Sequence, residues 1–196
     1  KPGFIEDNEQ SIQTKVNVDD FVLIGNSQLE SGNYQEAITA YDQAIKSDPT
    51  NSMAWNGKMS ALLYLDKYED VISLFTEAKK SMPDDFGIWI NKGRAEFYLN
   101  EFAKARQSAD EALKISPDNL DALILKADGL AIQAKPGAYE ITDTVLTLDP
   151  DNSDIWFARG HALYSKWALE GDLIEEERKN LVVYLEKDLK FHPDRE

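Results

Sequence analysis

Proline returns at a fixed interval along this chain: Pro49, Pro83, Pro117 and Pro150 lie 34, 34 and 33 residues apart. A large residue returns in phase with it, at Phe21, Trp55, Trp89, Leu123 and Trp156, and three of the four tryptophans fall in that series. Such a period marks stacked supersecondary units, each too small to bury an apolar face alone. Cutting the chain at that period gives windows 18–51, 52–85, 86–119, 120–152 and 153–196, which hold 179 of the 196 residues. The fold is therefore expected to be an array, and its residues are read by their place in the window.

The eighth place holds Gly25, Met59, Gly93, Ala127 and Gly160, mostly small, as a close helix crossing requires. Further on, Ala37, Val71 and Ala105 share one place, Tyr41, Phe75 and Ala109 the next, and Ala44, Ala78 and Ala112 a third. Their intervals of four and three mark one face of a helix. Turn signals such as Ser31-Gly32-Asn33 and Leu99-Asn100 divide a window in two. Proline ends each hairpin by pushing the residue before it out of the α region. Asn51-Ser52, Asp84-Asp85, Asp118-Asn119 and Asn152-Ser153 then supply N-caps for the next helix. Each window reads as an antiparallel helical hairpin, and the fold class as all-α.

This pattern resembles the tetratricopeptide repeat. Window 18–51 carries the resemblance most fully, through Phe21, Ile24, Gly25, Gly32, Tyr34, Ala37, Tyr41, Ala44 and Pro49. Window 52–85 follows it through Trp55, Leu62, Tyr68, Phe75, Ala78 and Pro83, and window 86–119 through Trp89, Gly93, Phe102, Ala105, Ala112 and Pro117. The resemblance implies a right-handed α-solenoid of about five repeats over 18–196, with residues 1–17 as a flexible or docked extension.

The departures carry expectations of their own. Glu96 and Ala109 stand where the family has larger apolar residues, and Thr142 stands where Tyr41 and Phe75 stand earlier, so the fourth hairpin is expected to pack less tightly. Lys135-Pro136-Gly137 replaces the usual turn there, with Pro136 suited to a first helical turn. The last window is stretched around Glu170-Gly171-Asp172, and Asp188 in place of an alanine suggests a charged outer face closing the stack.

Composition removes several function classes. A formal charge of -15 opposes binding to a polyphosphate backbone, so no nucleic-acid partner is expected. The chain has no cysteine and no apolar run of the length a membrane span needs, and the expected location is cytoplasmic. Asp149-Pro150-Asp151-Asn152-Ser153-Asp154 has the acids of a calcium loop but lacks its central glycine, and Gly160 replaces its final glutamate. With only His161 and His192 and no phosphate loop or nucleophile motif, no metal, cofactor or catalytic site is expected.

In the family that the chain resembles, the first helix of each hairpin lines a concave surface that binds peptide segments. Carried over by place, the candidate groove residues are Asn26, Asn56 and Tyr64 from the first two windows. Ile90, Arg94, Phe97 and Tyr98 follow from the third, Ile124 and Asp128 from the fourth, and Phe157, His161 and Tyr164 from the fifth. The tyrosines suit a binding surface, since a phenol packs and hydrogen-bonds at once. Asn26 and Asn56 suit a peptide backbone and equally suit solvent. Arg94 is the single cation at these places, against Asp19, Glu30, Asp121, Asp128 and Asp154. The clamp that some family members use for a terminal carboxylate would fall on Val22, Asn26, Gly57, Gly87 and Asn91, where only Asn26 matches.

The expectation is a non-catalytic scaffold that takes an apolar partner segment flanked by Lys or Arg into its groove, as a monomer or homodimer. Its alternative is an assembly module whose groove is filled by its own N-terminal segment or a second copy, or a regulatory domain of a larger protein.

Overall fold

A computed structural model describes residues 17–152 and 154–170, together with Glu175, Arg178, Lys179, residues 181–184 and Glu186. Expectations placed on residues 1–16, on Gly171-Asp172 and on Asp188 lie outside the described residues. Among the described residues the helices with delimited bounds are, in order, α1 (Val18–Glu30), α2 (Tyr34–Ser47), α3 (Ser52–Tyr64), α4 (Tyr68–Ser81), α5 (Phe86–Tyr98), α6 (Phe102–Ile115), α7 (Leu120–Ile132), α8 (Ala138–Leu148) and α9 (Ile155–Glu170). Residues 181–184 are helical as well. α9 runs to 16 residues against 13 for α1, α3, α5 and α7, so part of the stretch in the last window lengthens its first helix.

Capping fixes where the first helix of a repeat starts. The side chains of Asn51, Asp85 and Asn119 accept from the backbone N–H of Ala54, Ile88 and Ala122 at 2.9, 3.1 and 3.0 Å. Asn17 closes a reciprocal capping box with Asp20 at the head of α1. The hairpin turns all use the same place in a left-handed conformation, at Gly32, Asp66, Asn100 and Ala134, with φ of 77, 56, 62 and 51°. Glycine, aspartate and asparagine tolerate that region, while alanine is strained in it. Pro136 departs from the expectation: α8 starts only at Ala138, because Gly137 at φ 96° keeps Pro136 in the preceding turn.

The two periodic series are physically tied, since the Trp55 indole N–H donates to the Pro49 carbonyl at 2.8 Å. Each odd-numbered helix packs on the next odd one, and each even helix packs on the odd helix after it. Among the described residues no two even helices pack together, so the odd helices form the inner layer of a curved stack.

Volumes compensate at each junction. Tyr41, fully buried, lies between Gly25 and Gly57, where an added Cβ would stand 2.5 and 2.3 Å from its ring. Ala109 is small at the same place, and there Leu125 of the next repeat packs toward Gly93, 2.6 Å from the Cβ that a larger residue would add. Thr142 does not leave the fourth hairpin loose, contrary to expectation. It is fully buried, and Arg159 of the next repeat fills the place, donating to Thr142 Oγ1 at 2.9 Å and lying 4.3 Å from the Tyr139 ring centroid.

A charged ladder joins the repeats. Lys58, Lys126 and Arg159 hold Asp42, Asp110 and Asp143 of the preceding repeat at 2.6, 2.7 and 2.6 Å. Thr76 occupies the acid's place at the middle junction, and Lys92 turns instead to Glu96 at 2.6 Å and to Ser108 at 2.8 Å. That explains how Glu96, only 2% exposed, is tolerated where an apolar residue is usual.

Candidate functional site

The inner layer forms two adjoining depressions. The first has walls from α5, α7 and α9 and encloses about 360 Å³. Phe97, Ile124, Leu125 and Phe157 give it apolar walls, while Asp121, Asp128 and Asp154 bring carboxylates from two successive repeats. Arg94 pairs with Asp121 at 2.9 Å, so the one cation of the site is already engaged by one of its acids. The lining is therefore apolar with net negative charge.

The second depression, about 430 Å³, lies one repeat toward the N-terminus and shares Arg94 and Tyr98 with the first. Tyr64 stacks on Tyr34 at 4.9 Å and 9°, and Tyr98 stacks on Tyr68 at 5.1 Å and 19°, so two parallel aromatic pairs stand one repeat apart. The Tyr68 hydroxyl donates to Asp66 Oδ1 at 2.6 Å, and the carboxylate beside it pushes the phenol up to about 12.

Of the candidate groove residues, Arg94, Phe97, Tyr98, Ile124, Asp128 and Phe157 come together in the first depression, and Tyr64 lines the second. His161 packs against Phe157 at 4.4 Å, one turn further along α9, and Tyr164 stands exposed beside Trp167 at 5.7 Å. Ile90 corrects the expectation: it is 4% exposed and packs with Ala112 and Ala122, because the small residues of α6 and α7 bring those helices over it. Asn26 and Asn56 are also turned inward. Asn26 Oδ1 accepts from the Tyr41 hydroxyl at 2.8 Å. Asn56 donates to Asp85 at 3.2 Å and accepts from Asn91 at 3.0 Å, bridging the second and third repeats.

Leu125, Asp66 and Tyr68 were not among the candidates from sequence, yet they line these depressions. A signal for the tyrosine pairs was present: Tyr34 and Tyr64, like Tyr68 and Tyr98, are 30 residues apart.

Residues 22–79 and residues 86–119 each match the tetratricopeptide repeat. With the helical architecture, these matches show that the chain carries tetratricopeptide repeats. No curated protein sequence matches the chain significantly. Solved structures are similar in fold. TTC0263, a thermophilic TPR protein of Thermus thermophilus, aligns at TM-score 0.69 and 16% identity over 91% of this chain and 93% of its own. YrrB, a TPR protein with an unusual peptide-binding site, aligns at 0.59 and 18% over 92% and 89%. The first TPR of Spaghetti (RPAP3), bound to an HSP90 peptide, aligns at 0.55 and 23% over 61% and 94%. Among the described residues no helix is long and apolar enough to cross a membrane.

Proposed function

We propose that the protein is a non-catalytic interaction scaffold whose inner surface takes a segment of a partner protein, apolar in the middle and flanked by Lys or Arg. The observation that carries this reading is the depression of the third to fifth repeats, with Phe97, Ile124 and Phe157 in its walls and Asp121, Asp128 and Asp154 beside them. Burying aromatic side chains gives affinity, while the carboxylates choose the sign of the flanking charge and speed the encounter. Two proteins of similar fold, YrrB and the first TPR of RPAP3, are described as binding peptides, which supports the same use of the fold here.

The test is calorimetric titration of a synthetic peptide with an apolar middle and Lys/Arg flanks, at 0.1 M and 1 M salt. Screening shortens from about 10 Å to about 3 Å between those conditions, so affinity falls while the apolar contribution survives. Phe157→Ala in a folded variant weakens binding by about 2 kcal/mol, roughly thirtyfold. Unchanged affinity for Phe157→Ala places the site elsewhere. A sedimenting dimer that excludes the peptide favours the assembly role instead.

A further inference from the structure

The leading face of the array carries an apolar pair that the described residues leave uncovered. Side chains at the sixth and seventh places of a first helix face the repeat before. At the sixth place Asn91 donates to Asn56, Leu125 packs toward Gly93, and Gly57 leaves room for Tyr41. At the seventh, Lys58, Lys126 and Arg159 hold acids of the preceding repeat. In α1 those two places are Leu23 and Ile24, which stand 65% and 48% exposed.

Charge, register and area together select what covers them. A base at the seventh place elsewhere meets an acid from the repeat before, whereas Ile24 would leave an arriving acid desolvated and unpaired. The face therefore suits an apolar occupant rather than another repeat with an acid at its ladder place. The 16 residues ahead of Asn17 do not read as a repeat helix either, since Gly3, Asp7 and Gln10 stand one period before the buried Ala37, Tyr41 and Ala44. They do supply an adjacent apolar pair, Phe4-Ile5. Two exposed side chains fall far short of the roughly 20–30 residues a side in a stable interface between separate chains. A tethered segment needs much less contact, because a short linker holds it at an effective concentration in the millimolar range. The tether also reaches. Leu23 lies about 9 Å along α1 from the Asn17 cap, and the chain from Ile5 to Asn17 spans up to about 40 Å when extended.

We infer that residues 1–16 close the leading end of the array, with Phe4 and Ile5 docked on Leu23 and Ile24. The inference stands apart from the scaffold reading. It leaves the inner surface open to a partner and opposes the alternative in which the same segment fills the groove.

The chain has no cysteine, so Asn8→Cys in the full chain gives a single site for a nitroxide label. Paramagnetic broadening of backbone amides in nitrogen-15 spectra then reports where the segment lies. The same label in Phe4→Ser/Ile5→Ser measures the broadening that the tether alone produces. The expected result is an excess over that baseline at Leu23 and Ile24, with none at Tyr64, Phe97 and Phe157 on the inner surface. Leu23→Ser/Ile24→Lys, which makes the exposed pair polar, should abolish the excess while helical circular dichroism is unchanged. No excess over the baseline, or an excess that survives Leu23→Ser/Ile24→Lys, overturns the inference. An excess centred on Tyr64, Phe97 and Phe157 assigns the segment to the groove and overturns it as well. Mixing the labelled chain with a nitrogen-15 chain that carries no label tests for a second copy. Broadening of α1 in that mixture shows that the occupant comes from another molecule, and the inference falls.

Discussion

Replacing Lys92 by methionine removes the charge beneath which Glu96 is buried and keeps an unbranched stem of similar length. Lys92 Nζ sits 2.6 Å from Glu96 Oε1 and 2.8 Å from Ser108 Oγ, and the Ser108 hydroxyl donates to Glu96 Oε2 at 2.6 Å. Glu96 is 2% exposed, so the variant leaves a carboxylate without its counter-charge in the core. Breaking one partner of a buried pair costs about 3–5 kcal/mol. The lower end applies, since the side chain of Lys92 keeps 20% exposure and water reaches the edge of the network. Adding Glu96→Leu removes the stranded charge, and Ser108 can then bond back to a carbonyl of its own helix. The double variant should therefore return to within about 1 kcal/mol of wild type, because apolar replacement of a buried pair is close to neutral. Urea denaturation followed by circular dichroism and tryptophan fluorescence measures both. If Lys92→Met leaves the midpoint unchanged, or the double variant loses the sum of the two single losses, the pair is not coupled and the argument fails.

Other perturbations test the packing and the turns. Gly57→Ala drives a methyl into the Tyr41 ring and should cost about 1–3 kcal/mol by thermal denaturation, with Gly32→Ala failing through its φ of 77° rather than through crowding. Ala134→Gly relieves a left-handed alanine at φ 51° and should raise stability by about 1 kcal/mol, read as a shift in the denaturation midpoint. In alkaline spectrophotometric titration Tyr68 should ionise near 12 and move down toward 10 in Asp66→Ala. The folded phenol is the one raised, so its contribution is intact below about pH 10 and is lost as pH rises through about 12. An unshifted tyrosine titration in Asp66→Ala would break the assignment of that hydrogen bond.

The period made the array legible, because a hairpin that buries its face only against copies of itself repeats its large and small residues in register. Leu123, Trp55 and Ala37 are buried where their places put them. The inner surface was legible only as places. Phe97, Ile124 and Phe157 meet in one depression because their helices are neighbours in the stack, which the period implies. Ile90, Asn26 and Asn56 turned inward because residues of other helices reached them: alanines over Ile90, the Tyr41 hydroxyl to Asn26, and Asn91 to Asn56. Such pairings depend on both partners, and a rule applied to one helix at a time passes over them. The ladder shows the difference, since Asp42 and Lys58, Asp110 and Lys126, and Asp143 and Arg159 are all 16 residues apart. That interval was present in the sequence and becomes visible only when two windows are compared.

The ladder also sets a grammar for lengthening the chain. A duplicated fourth repeat would place Asp143 opposite a second Lys126, acid facing base, and the new junction would be electrically matched, whereas in a duplicated third repeat Glu96 already holds the Lys92 that would face Asp110. A duplicated second repeat would set Thr76 against Lys58, and a duplicated first repeat would set Asp42 against Ile24, so both would be born with a lone charge at the seam. Growth by copying is thus unequal along the molecule: the fourth repeat is the unit whose tail already fits its own head.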